Sequence, residues 1–153
     1  MQAVARTGLP SSLLVALQFA LIGALLLTSW PPAVRALLPA ALVLLLASGL
    51  VGIAALAANR PGNFNIRPEP KPRGQLVTWG VYRRIRHPMY SAVLLAMLAA
   101  ALADPRPWRV AAWLALLGVL LAKLRREERY LTARHPEYAA YCARTRRLIP
   151  GVF

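Results

Sequence analysis

The stretch GVYRRIRHPMYSAVLLAML, residues 80–98, decides the fold because it changes character halfway along. Its first eleven residues hold three arginines, a histidine and a proline, and the rest is uncharged and apolar. Proline is tolerated in the first helical turn, where the amide it lacks would have no partner anyway. The stretch therefore reads as a helix that starts at Pro88, with His87 just outside it, and descends from a polar rim into an apolar medium. The uncharged run continues to Ala103, 16 residues in all, and turns at Asp104 to Pro107. A second uncharged run of 13 residues, 110–122, then returns.

Working outward, 28 residues without a charge separate Arg6 from Arg35, and 24 separate Arg35 from Arg60. Each run is long enough for a helix across the ~30 Å hydrocarbon core of a bilayer. A 58% hydrophobic composition with mean hydropathy +0.49 is too apolar for an ordinary soluble domain. The expectation is an all-α integral membrane protein, one membrane domain over 1–153, with four transmembrane helices and a cytoplasmic C-terminal helical extension. Residues 1–58 form an N-terminal two-helix hairpin; residues 59–153 supply a loop, a second hairpin and the C-terminal helices. The two shorter spans require Arg109 and Lys123 to snorkel, with Trp108 and Trp113 framing them. The first apolar run far exceeds the h-region of a signal peptide and no small-residue cleavage site clearly ends it, so it reads as a retained span. Cys142 is the only cysteine, which excludes an internal disulfide, a thiolate zinc cluster and a redox pair.

A net charge of +14 would suggest nucleic acid in a soluble protein, but its distribution points elsewhere. Seven basic residues lie in 60–86 and eight in 123–147, two segments that four spans place on one side of the membrane. The positive-inside rule makes that side cytoplasmic, with both termini inside and short external turns near Pro31-Pro32 and Asp104 to Pro107. Attraction to anionic lipid head groups accounts for the surplus charge, with no nucleic acid required.

Residues 59–80 carry four prolines and three glycines, so no helix runs through them. A bare linker needs few large side chains, yet this segment holds Asn63, Phe64, Asn65, Leu76, Val77 and Trp79, which marks it as functional. Beyond the fourth span, Leu120, Leu124 and Leu131 keep helical spacing, so the helix leaves the bilayer and continues. A break near His135-Pro136 separates it from a short amphipathic helix ending before Pro150. Arg144, Arg146 and Arg147 beside Tyr138, Tyr141 and Leu148 suit that helix to the interface plane.

Topology alone gathers His87 and Tyr90 at the cytoplasmic rim with Glu127 and Glu128, which the returning helix brings back, and with the loop ahead of Tyr82. Each has a plainer explanation: Arg83, Arg84 and Arg86 as flanking charge, Tyr82 and Tyr90 as belt aromatics, the glutamates as a solvated face paired with Arg125, Arg126 and Arg129. No metal-ligand spacing, Walker loop or GxGxxG occurs.

At these residues the sequence resembles a known family. GQLVTWGVYRRIRHPMY (75–90 with the preceding Gly74), followed after one hairpin by EERYLTARHPEYAAYCARTRRLIP (127–150), is similar to the isoprenylcysteine carboxyl methyltransferase family and the related membrane phospholipid methyltransferases. The upstream Asn63-Phe64-Asn65 also fits that pattern. Ser91-Ala92 stand where the family commonly has a glycine, and His135-Pro136 where it often has Phe-Gly. The resemblance implies a helical membrane enzyme that binds S-adenosylmethionine at the cytoplasmic membrane face. Carried over by position, the cofactor contacts are Gln75, Leu76, Val77, Tyr82, His87, Pro88, Met89, Tyr90 and Glu128. An arginine ahead of the glutamates is expected near the acceptor, with Lys123, Arg125 and Arg126 all in range and Arg125 grouped with Glu128 and His87 as the catalytic set. The implied acceptor is a lipid or lipid-linked small molecule presenting a carboxylate, amine or thiol, and the alanine, leucine and arginine usage suggests a prokaryotic cytoplasmic membrane. Two other readings stand beside it: an NADPH-dependent membrane reductase of the sterol-reductase type, and a non-enzymatic protein that binds anionic lipid.

Overall fold

The computed structural model describes residues 9–27, 38–59, 63, 65–69 and 74–153. The described residues form five α-helices: α1 (Ser11–Leu27), α2 (Leu38–Ala58), α3 (Pro88–Ala103), α4 (Pro107–Arg134) and α5 (Tyr138–Arg144). A 3-10 turn, Gly80–Arg83, precedes α3. No strand occurs among the described residues; one isolated parallel bridge joins Ile85 to Arg146. The turn expected at Pro31-Pro32 and the residues Arg6, Arg35 and Phe64 lie outside the described set.

The helix starts follow from local chemistry. Pro88 and Pro107 each stand in the first turn of their helices, and His87 and Arg106 flank them. α3 ends at Ala103 and α4 at Arg134, just ahead of His135-Pro136, as the sequence predicts. The 28 residues of α4 make one rod of about 42 Å at 1.5 Å per residue, longer than a bilayer core.

α2 and α4 are long and apolar enough to cross a membrane, whereas α1 and α3, at 17 and 16 residues, are apolar but shorter. On α2, Leu42, Val43, Leu46, Leu50 and Ile53 are between 59% and 71% exposed. So much apolar surface in one place marks contact with something other than water. The interior cluster runs from Leu25 through Leu94, Met97, Leu116, Leu120 and Leu124 to Leu148. α2 meets α3 through small residues: Ser48 Oγ donates to the Ala92 carbonyl at 2.7 Å, and a Cβ on Gly52 would lie 3.6 Å from that of Ala92. The close approach associated with a glycine after RHPMY is thus supplied from the facing helix. Gly52→Ala should be tolerated, while Gly52→Leu should cost about 1–3 kcal/mol by overpacking, read as a lowered melting temperature in detergent.

Two expectations need correction. Arg109 and Lys123 do not snorkel; they are 0% and 1% exposed. Arg109 Nη2 donates to the carbonyls of Leu25 (2.8 Å) and Ala100 (2.7 Å), and Nη1 lies 3.9 Å from buried Asp104. Both carbonyls belong to final helical turns, where acceptors have no partner within the helix, so a buried arginine satisfies two helix ends at once. Lys123 Nζ donates to Gln18 Oε1 of α1, with its ammonium 5.5 Å from the Tyr90 ring centroid. Nor do the large side chains expected to face the membrane interface do so: Tyr138 and Tyr141 of α5 and Leu148 beyond it are 1%, 3% and 7% exposed, packed into the protein.

Candidate functional site

At one end of the α3–α4 hairpin lies a cavity of about 150 Å³. Its walls come from five stretches of chain: Asn59, just past α2, with Asn63 and Asn65, the loop 74–77, the run from Tyr82 to Tyr90, Glu127 and Leu131 of α4, and His135 with Tyr141. Gln75, Leu76, Val77, Tyr82, His87, Pro88, Met89 and Tyr90 all line it. Glu128 and Arg125 are not among the lining residues; Arg125 is exposed on α4.

The loop is held by an amide clip. Asn63 Oδ1 accepts from the Gln75 amide at 2.9 Å, while its Nδ2 donates to the Gln75 carbonyl (3.0 Å) and to Asn59 Oδ1 (2.7 Å). The Gln75 N–H is therefore engaged by the protein itself. At the start of α3, the amides of Tyr90 and Ser91 both donate to the His87 carbonyl, at 3.0 and 3.1 Å.

His87 and Tyr90 stack, with ring centroids 5.4 Å apart and planes within 4°. Tyr90 Oη donates to Glu127 Oε2 at 3.0 Å, so the stacked pair presents a carboxylate at its edge. The imidazole sits between two acids, with Nδ1 3.7 Å from Glu127 and Nε2 3.4 Å from Glu128. Only the second approaches hydrogen-bonding distance.

The two neighbouring glutamates have different surroundings. Glu127 lines the cavity and its side chain is 32% exposed. The side chain of Glu128, 11% exposed, meets two guanidinium groups, Arg86 Nε at 2.8 Å on Oε1 and Arg147 Nε at 3.0 Å on Oε2, and the His87 ring at 3.4 Å. Arg86 reaches further, with Nη1 donating to the carbonyls of Thr145 (2.7 Å) and Cys142 (3.2 Å) and to Thr145 Oγ1 (3.1 Å). Burial alone would lower the Arg86 pKa, but the hydrogen bond and charge of Glu128 outweigh it and raise the guanidinium above its ordinary value.

Burial first, then the charge of Glu127, pushes the Tyr82 phenol up to about 12, against a lowering hydrogen bond with Asn59. An acid whose pKa is raised by folding contributes stability that is intact below the unfolded value of 10.0 and is lost as pH climbs through about 12. The difference titration between wild type and Tyr82→Phe should thus centre near 12, followed by phenolate absorbance, and an ordinary phenol titration would refute the burial.

Sequence reasoning discounted Arg86 as flanking charge alongside Arg83 and Arg84, yet those two are exposed and Arg86 is not. Nothing in the local string separates the three. Asn59, His135 and Tyr141 also went unassigned; Asn63 and Asn65 stood out as amides too numerous for a spacer. Among the described residues, no group of three or more His, Cys, Asp or Glu side chains could hold a metal ion.

Apolar helices with large exposed faces, two of them long enough to cross a membrane, mark a helical membrane protein, and a cavity with charged and amide side chains in its walls lies at one end of its α3–α4 hairpin. The chain belongs to the phospholipid methyltransferase family, which matches residues 36–140. It is also similar to the cobalt-zinc-cadmium resistance protein CzcN of Cupriavidus metallidurans, 34% identical over 109 residues, which make up 70% of this chain and 50% of that protein. The chain spans about half the length of that curated relative. The family match favours a methyltransferase over the reductase reading.

Proposed function

We propose that this protein is a membrane-embedded, S-adenosylmethionine-dependent methyltransferase that acts on a lipid or lipid-linked acceptor at the cytoplasmic face of a prokaryotic inner membrane. The observation that carries this reading is the convergence of loop 74–77, Tyr82, the run from His87 to Tyr90 and Glu127 on one cavity in a member of the phospholipid methyltransferase family. In the proposed topology all four apolar helices cross the membrane, and the cavity opens at the rim beside the basic segments.

The lining fits such a cofactor by its chemistry. A carboxylate, three tyrosine side chains and amide side chains suit a ligand that bears a sulfonium, an ammonium and a purine. When bound, the cofactor supplies an electrophilic methyl group for in-line displacement. Glu127 is placed to pair with a cation, and Tyr82 and Tyr90 offer ring faces to positive charge or to a purine. Arg86 brings positive charge to the same wall, where it can face a carboxylate. Catalysis of this kind depends on positioning and electrostatics more than on strong acids or bases. A carboxylate acceptor would need no base; an amine, hydroxyl or thiol would have to give up a proton, and Glu127, His87 and His135 are cavity groups able to take it. An apolar acceptor can reach the rim sideways from the bilayer, which gives the enzyme a reason to be embedded.

Calorimetry on detergent-solubilised protein should detect S-adenosylmethionine binding, and membranes given methyl-labelled cofactor should carry the label into the lipid extract. No binding would overturn the cofactor assignment. Binding with label only in the protein fraction or in an added thiol would overturn the lipid acceptor. NADPH binding, or anionic-lipid binding without any cofactor, would replace the proposal with one of the two other readings.

A further inference from the structure

The family match stops at residue 140, short of the segment that follows α5. In the structure, residues 145–148 lie alongside residues 84–91 and are bonded to them repeatedly. Arg86 N donates to the Arg146 carbonyl at 2.7 Å, His87 N to the Arg147 carbonyl at 3.0 Å, and Arg146 N to the Arg84 carbonyl at 3.0 Å. The Ser91 hydroxyl donates to the Leu148 carbonyl at 2.7 Å. The backbone on both sides of the His87-Pro88 start of α3 is thereby fixed by the C-terminal segment.

The side chains repeat the pattern. Arg147 Nε meets Glu128 Oε2 at 3.0 Å, and the other oxygen of that carboxylate takes Arg86 at 2.8 Å and His87 Nε2 at 3.4 Å. One carboxylate thus links the C-terminal segment to the cavity histidine. Arg147 is itself braced by Phe153, whose ring centroid is 5.6 Å from the guanidinium carbon. A fully exposed ion pair would contribute little; here the Arg147 side chain is 36% exposed but the Glu128 carboxylate only 11%, so the pair is partly shielded from solvent.

We infer that Arg147 is a positioning residue of the site: acting through Glu128, it sets the His87 ring against Tyr90 and so shapes the cavity wall that receives the cofactor. The inference rests on the function proposed above for the name of the ligand, though not for the placement of His87. Without Arg147, the Glu128 carboxylate keeps Arg86 and His87 but loses the partner that anchors its second oxygen. The carboxylate is then free to rotate, and the imidazole that leans on it follows. A purely structural buttress would instead act on the fold as a whole and leave the ring environment of the folded protein unchanged.

The chain has two histidines, so ¹⁵N-histidine spectra of the full-length protein in detergent contain one ring system from His87 and one from His135, told apart with His135→Gln. Arg147→Met should move the His87 ring resonances and weaken S-adenosylmethionine binding ~10-fold, the scale of one charge-assisted hydrogen bond. Arg147→Lys should restore most of the affinity, and Arg144→Met, an exposed arginine of α5, should change neither reading. In combination with Glu128→Gln, the Arg147 substitution should add little, because both act on one link. His87 resonances that stay in place in Arg147→Met overturn the inference, as does a fully additive double variant. If the methionine variant does not fold, Arg147→Gln is read in the same way. Failure of wild type to bind the cofactor would strike the proposed function alone, since the ring resonances still report on Arg147.

Discussion

Glu128→Ala is expected to lower stability by about 3–5 kcal/mol, the cost of removing one partner from a buried ionic cluster. The carboxylate neutralises Arg86 and Arg147 and faces His87, and the three come from separate parts of the chain. Without it, positive groups confront each other in a space with little access to water. Glu128→Gln should lose less, since the amide keeps the shape and one acceptor. Melting of the solubilised protein in the absence of ligand reads the effect directly. An alanine variant that melts with wild type would mean that the ion pairs contribute nothing and that the shape of the site has another source in the packing of α3 on α4.

The second large effect is expected at the neighbouring position. Glu127→Gln should weaken S-adenosylmethionine binding ~30-fold, the loss of one charge-assisted contact of about 2 kcal/mol, with melting unchanged. The amide can still accept from Tyr90 Oη, which donates to Glu127 at 3.0 Å, so the wall keeps its form and loses only charge. Calorimetry on both variants separates the two glutamates. If Glu127→Gln binds like wild type while Glu128→Gln loses affinity without loss of stability, the carboxylate that faces the ligand is Glu128, as the family resemblance suggests.

Much of this arrangement is legible in the sequence. Pro88 announced the start of α3, and His135-Pro136 announced the end of α4; Pro107, read as the close of a turn, proved to open α4. Because helices rise by a fixed amount per residue, a hairpin of two apolar legs had to return the glutamates to the level of His87. The loop residues Gln75, Leu76 and Val77 were placed beside them by the resemblance, and all three line the cavity.

What stayed hidden depends on which way a side chain faces and on what stands opposite. In RRIR, nothing in the string tells Arg86 from Arg83 and Arg84; only the packing of residues 145–148 against this turn gives Arg86 its acceptors at Thr145 and Cys142. Arg109 and Lys123 looked like residues reaching for head groups. Their actual partners, carbonyls at the ends of α1 and α3 and an amide on α1, are set by helix pairing. The adjacent glutamates are equivalent in sequence, but successive residues on a helix are turned by about 100°, so one faces the cavity and the other the cations behind it.

The sequence by itself thus determined the helical class, the apolar lengths, the sites of the breaks and the end of the hairpin where polar groups collect, because these follow from hydrophobic patterning, proline geometry and helical rise. Tertiary structure alone decided which carboxylate meets the cavity, which arginine becomes a core residue and that the C-terminal segment holds His87, because each depends on a partner distant in sequence, and partners are chosen by packing.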